Sequence, residues 1–152
     1  MVPPAGARVM DLQQPTSKMS KSADAAAGTI LVLDDPAAIT RKVKRAVTDT
    51  DGEVRYDVAA KPGVSNLLSI LAACTGRTPE EAARDYTQYG PLKADTAEAV
   101  VELLRPIQQR YHELEDDPDA MVEILAKGAA KAQAVSSSVL DRAKRNIGLL
   151  AR

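Results

Sequence analysis

The chain has 152 residues, of which 45 per cent are apolar, and this is enough for one modest hydrophobic core. It contains no Trp or Phe and only four Tyr, so Leu, Ile, Val and Ala must fill that core, which favours packed helices over a β-sandwich. Its 20 basic and 21 acidic residues give a net charge of -1. This balance excludes a global attraction to nucleic acid or to an anionic membrane.

The cellular compartment is indicated by two features of the sequence. The single cysteine, Cys74, cannot form an internal disulfide and suits a reducing compartment. The apolar stretches are too short to span a bilayer, and the chain does not open with a signal-peptide pattern. We therefore expect a cytoplasmic protein that does not enter the membrane.

The N-terminal region predicts little regular structure. Residues 1–29 are rich in Pro, Gly and small polar residues and predict a loop, with one short strand at residues 7–12. Residues 29–33 form a short apolar run that could be a buried strand. Five residues are too few for periodicity to distinguish a strand from a helix.

Five helices are predicted from residue 35 onward, each with a start signal. The predicted start residues are Asp35, Ser65, Thr78, Asp95 and Asp117. The first three helices end at residues 49–52, at Gly76 and near Tyr86. Pro106 lies inside the fourth helix and predicts a kink. The fifth carries an apolar stripe from Met121 almost to the end of the chain.

The most informative motif is KMSKS, formed by Lys18, Met19, Ser20, Lys21 and Ser22 in the N-terminal loop. Two ammonium groups three residues apart, with hydroxyls between them, can hold a polyphosphate whose charge moves onto its leaving part during transfer. Taken alone, a motif this short is explained equally well by a solvated loop.

Segments along the whole chain strengthen the functional interpretation. In addition to KMSKS, they are GARVM (6–10), LDDP (33–36), RAVTD (45–49), VRYD (54–57), KPGVSNLL (61–68), KAD (93–95), RPIQ (105–108) and IGL (147–149). In this order, they resemble the bacterial tryptophan–tRNA ligases, which are class I aminoacyl-tRNA synthetases. The related tyrosine enzymes fit less well, because in bacteria they usually carry a variant signature and an additional C-terminal RNA-binding domain.

The resemblance implies a mainly α fold: a helical bundle of the anticodon-binding type, preceded by the KMSKS loop and the tail of a Rossmann-like catalytic domain. Residues 1–35 would form the edge of the catalytic domain, and residues 36–152 the helical tRNA-binding domain. The implied function is activation of L-tryptophan with ATP, accompanied by Mg²⁺, and its transfer to tRNA(Trp). The full-length enzyme would be a homodimer.

The resemblance also implies roles for individual residues. Lys18 and Lys21 would be the catalytic groups that hold the departing phosphates. ATP would be bound by these lysines together with Val9, which contacts the adenine end largely through its backbone, and with the other signature residues, Met19, Ser20 and Ser22. The sequence departs from several relatives at Ala23, where they carry an acidic residue, and this puts the closure of the loop in doubt.

The first signature of the family, His-x-Gly-His, does not occur in these 152 residues, whose only histidine is His112. The tryptophan pocket is not recognisable either. We therefore interpret the chain as the C-terminal part of a longer ligase and expect it to be inactive alone. The alternative is a separately expressed, non-catalytic helical remnant that binds tRNA.

Several further residues have a structural and a functional interpretation. His112 is expected on the surface, and Cys74 in the core as a small hydrophobe. The basic cluster on the first helix is either solvated or contacts RNA or a substrate: Arg41, Lys42, Lys44 and Arg45. The basic residues of the fifth helix could contact RNA phosphates: Lys127, Lys131, Lys144 and Arg145. The shortage of aromatic residues argues against base-stacking platforms.

Overall fold

The computed structural model describes residues 8–21 and 26–149. Ser22 and Ala23, for which the sequence suggests roles in the loop, lie outside these residues. The chain divides into two compact units, Met1–Gln108 and Gln109–Arg152, which we describe separately. The predicted boundary between a catalytic edge and a helical domain at residue 35 stays a prediction.

The described residues are mainly helical, as predicted. They form α1 (Pro36–Lys44), α2 (Pro62–Thr75), α3 (Pro79–Ala83), α4 (Tyr89–Glu115) and α5 (Pro118–Asn146), with a short 3₁₀ turn at Ala26–Gly28. No strand forms within the described ranges; the only pairing of this type there is an isolated antiparallel bridge between Met10 and Lys18.

The two strands predicted in the N-terminal region do not form in the described residues. Residues 8–12 contribute only the bridge at Met10, and residues 29–33 are neither strand nor helix. The reason is a local turn. The Leu31 amide donates to Asp34 Oδ2 at 2.9 Å, and the Asp34 amide donates back to the Leu31 carbonyl at 3.1 Å, so the run cannot extend. Its side chains Leu31, Val32 and Leu33 are each 50% exposed.

Local caps explain where three of the helices begin. The Asp35 side chain accepts a hydrogen bond from the Ala38 amide at 2.9 Å and starts α1. Thr78 and Glu81 form the predicted capping box of α3. The Asp117 side chain accepts from the Ala120 amide at 3.0 Å at the start of α5.

Other predicted helix boundaries are wrong by several residues, and α1 ends at Lys44 rather than at residues 49–52. Helix α2 begins at Pro62, since proline suits the first helical position, and Ser65 instead accepts a hydrogen bond from the Asp57 amide at 2.9 Å. Helix α4 begins at Tyr89 rather than Asp95 and continues through Pro106. The kink predicted there stays a prediction.

The core of the first unit is aliphatic, as the composition requires. Its buried side chains come from all four helices of this unit and from the segments before the signature and after α1. They include Leu12, Ile39, Val43, Ala46, Val64, Leu67, Leu68, Leu71, Ala82, Leu92 and Val100. Cys74 is partly buried at its edge, and burial raises the pKa of its thiol.

The second unit contains the end of α4 and all of α5. Helix α5 has no buried residue, and apolar side chains of its predicted stripe, such as Leu125 and Val135, are 65% and 77% exposed. In the part of the chain that the structure describes, no helix is long and apolar enough to cross a membrane.

Candidate functional site

The signature residues follow a short antiparallel pairing. The Asp11 amide donates to the Ser17 carbonyl at 2.8 Å, and the Met19 amide donates to the Val9 carbonyl at 3.1 Å. These two bonds flank the bridge between Met10 and Lys18. The pairing places Val9, the predicted adenine contact, beside Met19 of the signature.

The turn that joins the paired segments is closed by Asp11. Its Oδ1 accepts hydrogen bonds from the amides of Gln13 at 2.8 Å and Gln14 at 3.0 Å. This side chain is buried against Gly28, where an added Cβ would lie 2.1 Å from Asp11 Oδ1. Glycine at position 28 therefore allows the 3₁₀ turn to approach the base of the loop.

One signature side chain contacts the core, and the two lysines face solvent. Met19 is half-buried and packs against the hydrophobic core, whereas Lys18 and Lys21 are exposed. The Ser20 carbonyl accepts a hydrogen bond from the Thr29 hydroxyl at 3.0 Å. The backbone is thus anchored between the two lysines, and both lysine side chains are exposed.

A second cation lies beside Lys21. Ser20, Lys21, Thr29, Leu31 and Lys42 line a cavity of about 100 Å³. Lys42 belongs to the basic cluster of α1, and it also forms an ion pair with Asp34. The sequence placed Lys42 only in a cluster of uncertain role, because its proximity to the signature depends on how α1 packs.

Asp34 keeps Lys42 in place through its charge. Burial alone would raise the pKa of Asp34, but hydrogen bonds from the Lys42 ammonium and the Leu31 amide outweigh burial and hold this pKa below its usual value. The Gln108 side chain supports the same segment by donating to the carbonyls of Val32 at 2.7 Å and Asp34 at 2.9 Å.

The base of the loop is held by Asn66 of α2, a residue to which the sequence assigned no role. The Met10 amide donates to Asn66 Oδ1 at 2.9 Å, and Asn66 Nδ2 donates to the Met10 carbonyl at 2.8 Å. Beside this contact lies a larger cavity of about 450 Å³, whose lining includes Arg8, Met10, Thr16, Tyr56, Ser65 and Asn66.

The segment after α1 is fixed by a buried lysine that sequence analysis also missed. Lys61, 1% exposed, contacts Asp49 at 3.0 Å, Asp51, and the Tyr89 hydroxyl at 3.1 Å. Burial alone would lower the pKa of Lys61, but its hydrogen bonds to Asp51 and Asp49 raise it above its usual value. Burial, together with the Asp49 carboxylate, raises the pKa of Tyr89 to about 12.

His112 and the basic residues of α5 belong to the second unit. His112 is exposed, as expected, with its side chain 67% accessible. On α5, Lys127 pairs with Glu123 at 2.6 Å on an exposed surface, and such a pair contributes little to stability. Contact of the α5 basic residues with RNA stays a prediction.

Comparison with known proteins identifies the family. A family model described as tRNA synthetases class I (W and Y) matches residues 1–105. Tryptophan–tRNA ligase 1 of Streptomyces avermitilis is 52% identical over 148 residues, which are 97% of this chain and 45% of that protein. Tryptophan–tRNA ligase of Mycobacterium leprae is 47% identical over 151 residues, 98% of this chain and 44% of that protein.

A solved structure shows the same fold. Tryptophanyl-tRNA synthetase from Mycoplasma pneumoniae superposes with a TM-score of 0.85 at 29% sequence identity, covering 95% of this chain and 44% of that one. The chain therefore spans a little under half the length of these relatives. The resemblance to tryptophan–tRNA ligases predicted from the quoted segments is confirmed, and the chain belongs to the class I tRNA synthetases of the W and Y family.

Proposed function

We propose that this chain supplies the KMSKS loop and the helical tRNA-side domain of a tryptophan–tRNA ligase. The complete enzyme would activate L-tryptophan with ATP and transfer it to tRNA(Trp), as a homodimer in the cytoplasm. One observation carries the proposal: the exposed Lys18 and Lys21 stand on an anchored loop in a chain that matches tryptophan–tRNA ligases over 97% of its length.

In the proposed reaction, a carboxylate oxygen of tryptophan attacks the α-phosphorus of ATP, and the bond to the bridging oxygen of the β-phosphate breaks. The products are the aminoacyl-adenylate and pyrophosphate, whose charge rises as it leaves. Lys18 and Lys21 would stabilise that charge, because ammonium groups aimed at developing charge act most strongly in the transition state. Lys42, which shares the cavity with Lys21, would add positive potential nearby.

ATP would contact the loop on both sides of the Met10–Lys18 bridge. The Val9 backbone would meet the adenine end, and Lys18, Met19, Ser20, Lys21 and Ser22 would surround the phosphates. Magnesium would arrive with ATP, since Mg²⁺ keeps much of its water and is commonly held by substrate phosphates. The basic residues of α1 and α5 would contact tRNA phosphates.

A chimera tests the proposal. The segment of the Streptomyces avermitilis ligase that matches this chain is replaced by the chain itself, and tryptophan-dependent exchange of pyrophosphate into ATP is measured. We expect exchange, followed by aminoacylation of tRNA(Trp), at rates within about tenfold of the parent enzyme, since half of the exchanged residues are identical.

The control chimera carries alanine at both Lys18 and Lys21. If the chimera with both lysines intact folds and binds tRNA(Trp) but does not exchange pyrophosphate, the result would favour the alternative, a non-catalytic tRNA-binding remnant. Exchange that survives loss of both lysines would contradict the role proposed for the signature.

A further inference from the structure

The backbone of Met10 has one edge that the signature pairing does not use. The pairing bonds are made by the neighbours, Asp11 with Ser17 and Met19 with Val9. In an antiparallel pair of this kind, the central residue points its own amide and carbonyl away from the partner segment. Both groups of Met10 therefore need another partner, since unpaired polar groups in a partly buried site are costly.

Asn66 provides both partners with one side chain. Its carboxamide accepts from the Met10 amide at 2.9 Å and donates to the Met10 carbonyl at 2.8 Å. It thereby takes the place of a third strand. Asn66 is 5% exposed and lies 56 residues from Met10 in sequence, so the contact ties the packed helix α2 to the loop. A carboxamide is needed, because a carboxylate cannot donate and an aliphatic side chain can do neither.

We propose that Asn66 is a positioning residue for Lys18: by clamping Met10, it fixes the backbone of the directly opposite Lys18 relative to α2. The inference rests on the proposed function, because the lysine it positions is the proposed phosphate ligand. Asn66 itself touches no reacting atom. Because Asn66 belongs to the packed helix α2, it holds the start of the signature loop in a fixed position relative to the helical core.

The clamp is tested first on the 152-residue chain, without any assay of activity. Asn66→Leu removes both hydrogen bonds at similar size, and Asn66→Asp removes only the donor. Amide hydrogen exchange at Met19, whose amide bonds to Val9 across the pairing, should become on the order of 10-fold faster in Asn66→Leu. Asn66→Asp should also accelerate this exchange, because a carboxylate oxygen in place of the amide nitrogen repels the Met10 carbonyl.

Thr75→Ala is the matched control, because the Thr75 hydroxyl donates to the Leu71 carbonyl of the same helix. It should leave Met19 exchange unchanged. If Asn66→Leu also speeds up exchange at the Leu71 amide, helix α2 itself has opened. The exchange rate at Met19 is then compared between wild type and Asn66→Asp. Unchanged exchange at Met19 in a variant that keeps Leu71 protected overturns the clamp.

The positioning role is tested by a double-mutant cycle in the chimera, using single-turnover adenylate formation. Asn66→Leu should slow this step roughly 10-fold in the presence of Lys18, and much less in a Lys18→Ala background, because the two residues act in series. Equal slowing in both backgrounds overturns the positioning role and assigns Asn66 to stability alone. An inactive parent chimera contradicts the proposed function instead, and hydrogen exchange then decides the clamp separately.

Discussion

Some residues of the signature loop hold its backbone in place, and others present positive charge to solvent. Met19 packs into the core, and the Ser20 carbonyl receives the Thr29 hydroxyl, whereas Lys18 and Lys21 stay exposed. A lysine suits the second task because its ammonium is a compact charge on a flexible stem. Anchoring the backbone limits the entropy lost when the flexible side chain meets its ligand.

Lys21→Ala in the chimera should lower the rate of adenylate formation by about two to three orders of magnitude, by analogy with the loss of one donor from an oxyanion site. The apparent dissociation constant of ATP should change little, because contacts made mainly in the transition state affect the rate. Single-turnover kinetics across a range of ATP concentrations separates the two quantities.

Arg84→Ala is the control for a general loss of positive charge. Arg84 is an exposed basic residue at the end of α3 that does not line the cavity of Lys21, so its removal should leave the rate nearly unchanged. A Lys21→Ala enzyme with its full saturating rate and only weakened ATP binding would make the loop a passive anchor.

At the scale of elements, the segment after α1 is fixed by close approach to the start of α2. The Val47 amide donates to the Leu12 carbonyl at 2.8 Å, and Lys93 donates to the Ala46 carbonyl at 2.8 Å. Gly63, in the first turn of α2, lies directly under this segment. An added Cβ there would be 2.1 Å from the Val47 carbonyl oxygen. The position of Leu12, which precedes the signature by six residues, thus depends on packing at α2.

Gly63→Ala should destabilise the chain by about 1 to 3 kcal/mol, the usual cost of forcing an extra carbon into a packed site. The atom in the way belongs to the backbone, so a side-chain rotation cannot relieve the clash. Gly90→Ala in α4 is the matched control, because a Cβ at that position meets nothing within 4 Å. Urea unfolding monitored by circular dichroism measures both, and equal stability of the two variants would contradict the packing described here.

For the whole molecule, the two units differ sharply in how they bury apolar surface. The first unit has a continuous aliphatic core, while α5 in the second has no buried residue. The chain also spans a little under half the length of its relatives. Activity therefore has to be tested with the remaining part of a ligase present as well as with this chain alone.

The isolated 152-residue chain should show no tryptophan-dependent exchange of pyrophosphate into ATP above background. It contains one histidine, His112, and no His-x-Gly-His sequence, and the signature lysines alone cannot orient both substrates. The chimera assayed at the same concentration is the positive control. Exchange catalysed by the purified chain, and lost on Lys21→Ala, would show that the interpretation as an incomplete active site is wrong.

The sequence by itself determined the helical class, the caps of α1, α3 and α5, and the family. Caps such as Asp35 and Thr78 are recognisable because they bond amides only three residues away, and the KMSKS motif and neighbouring segments are contiguous. The end of α1, the starts of α2 and α4, and the conformation of residues 29–33 were predicted wrongly. Pro62 at the start of α2 and the side chain of Asp34 after residues 29–33 outweighed the pattern.

Only the tertiary structure decided what surrounds the signature. Asn66 reaches Met10 across 56 positions, and Lys42 joins Lys21 in one cavity. The ammonium group of buried Lys61 forms hydrogen bonds with Asp49, Asp51 and Tyr89, which come from separate segments. Each of these contacts depends on the packing of helices around a shared core, and the energy of such contacts is not encoded in any local period or motif.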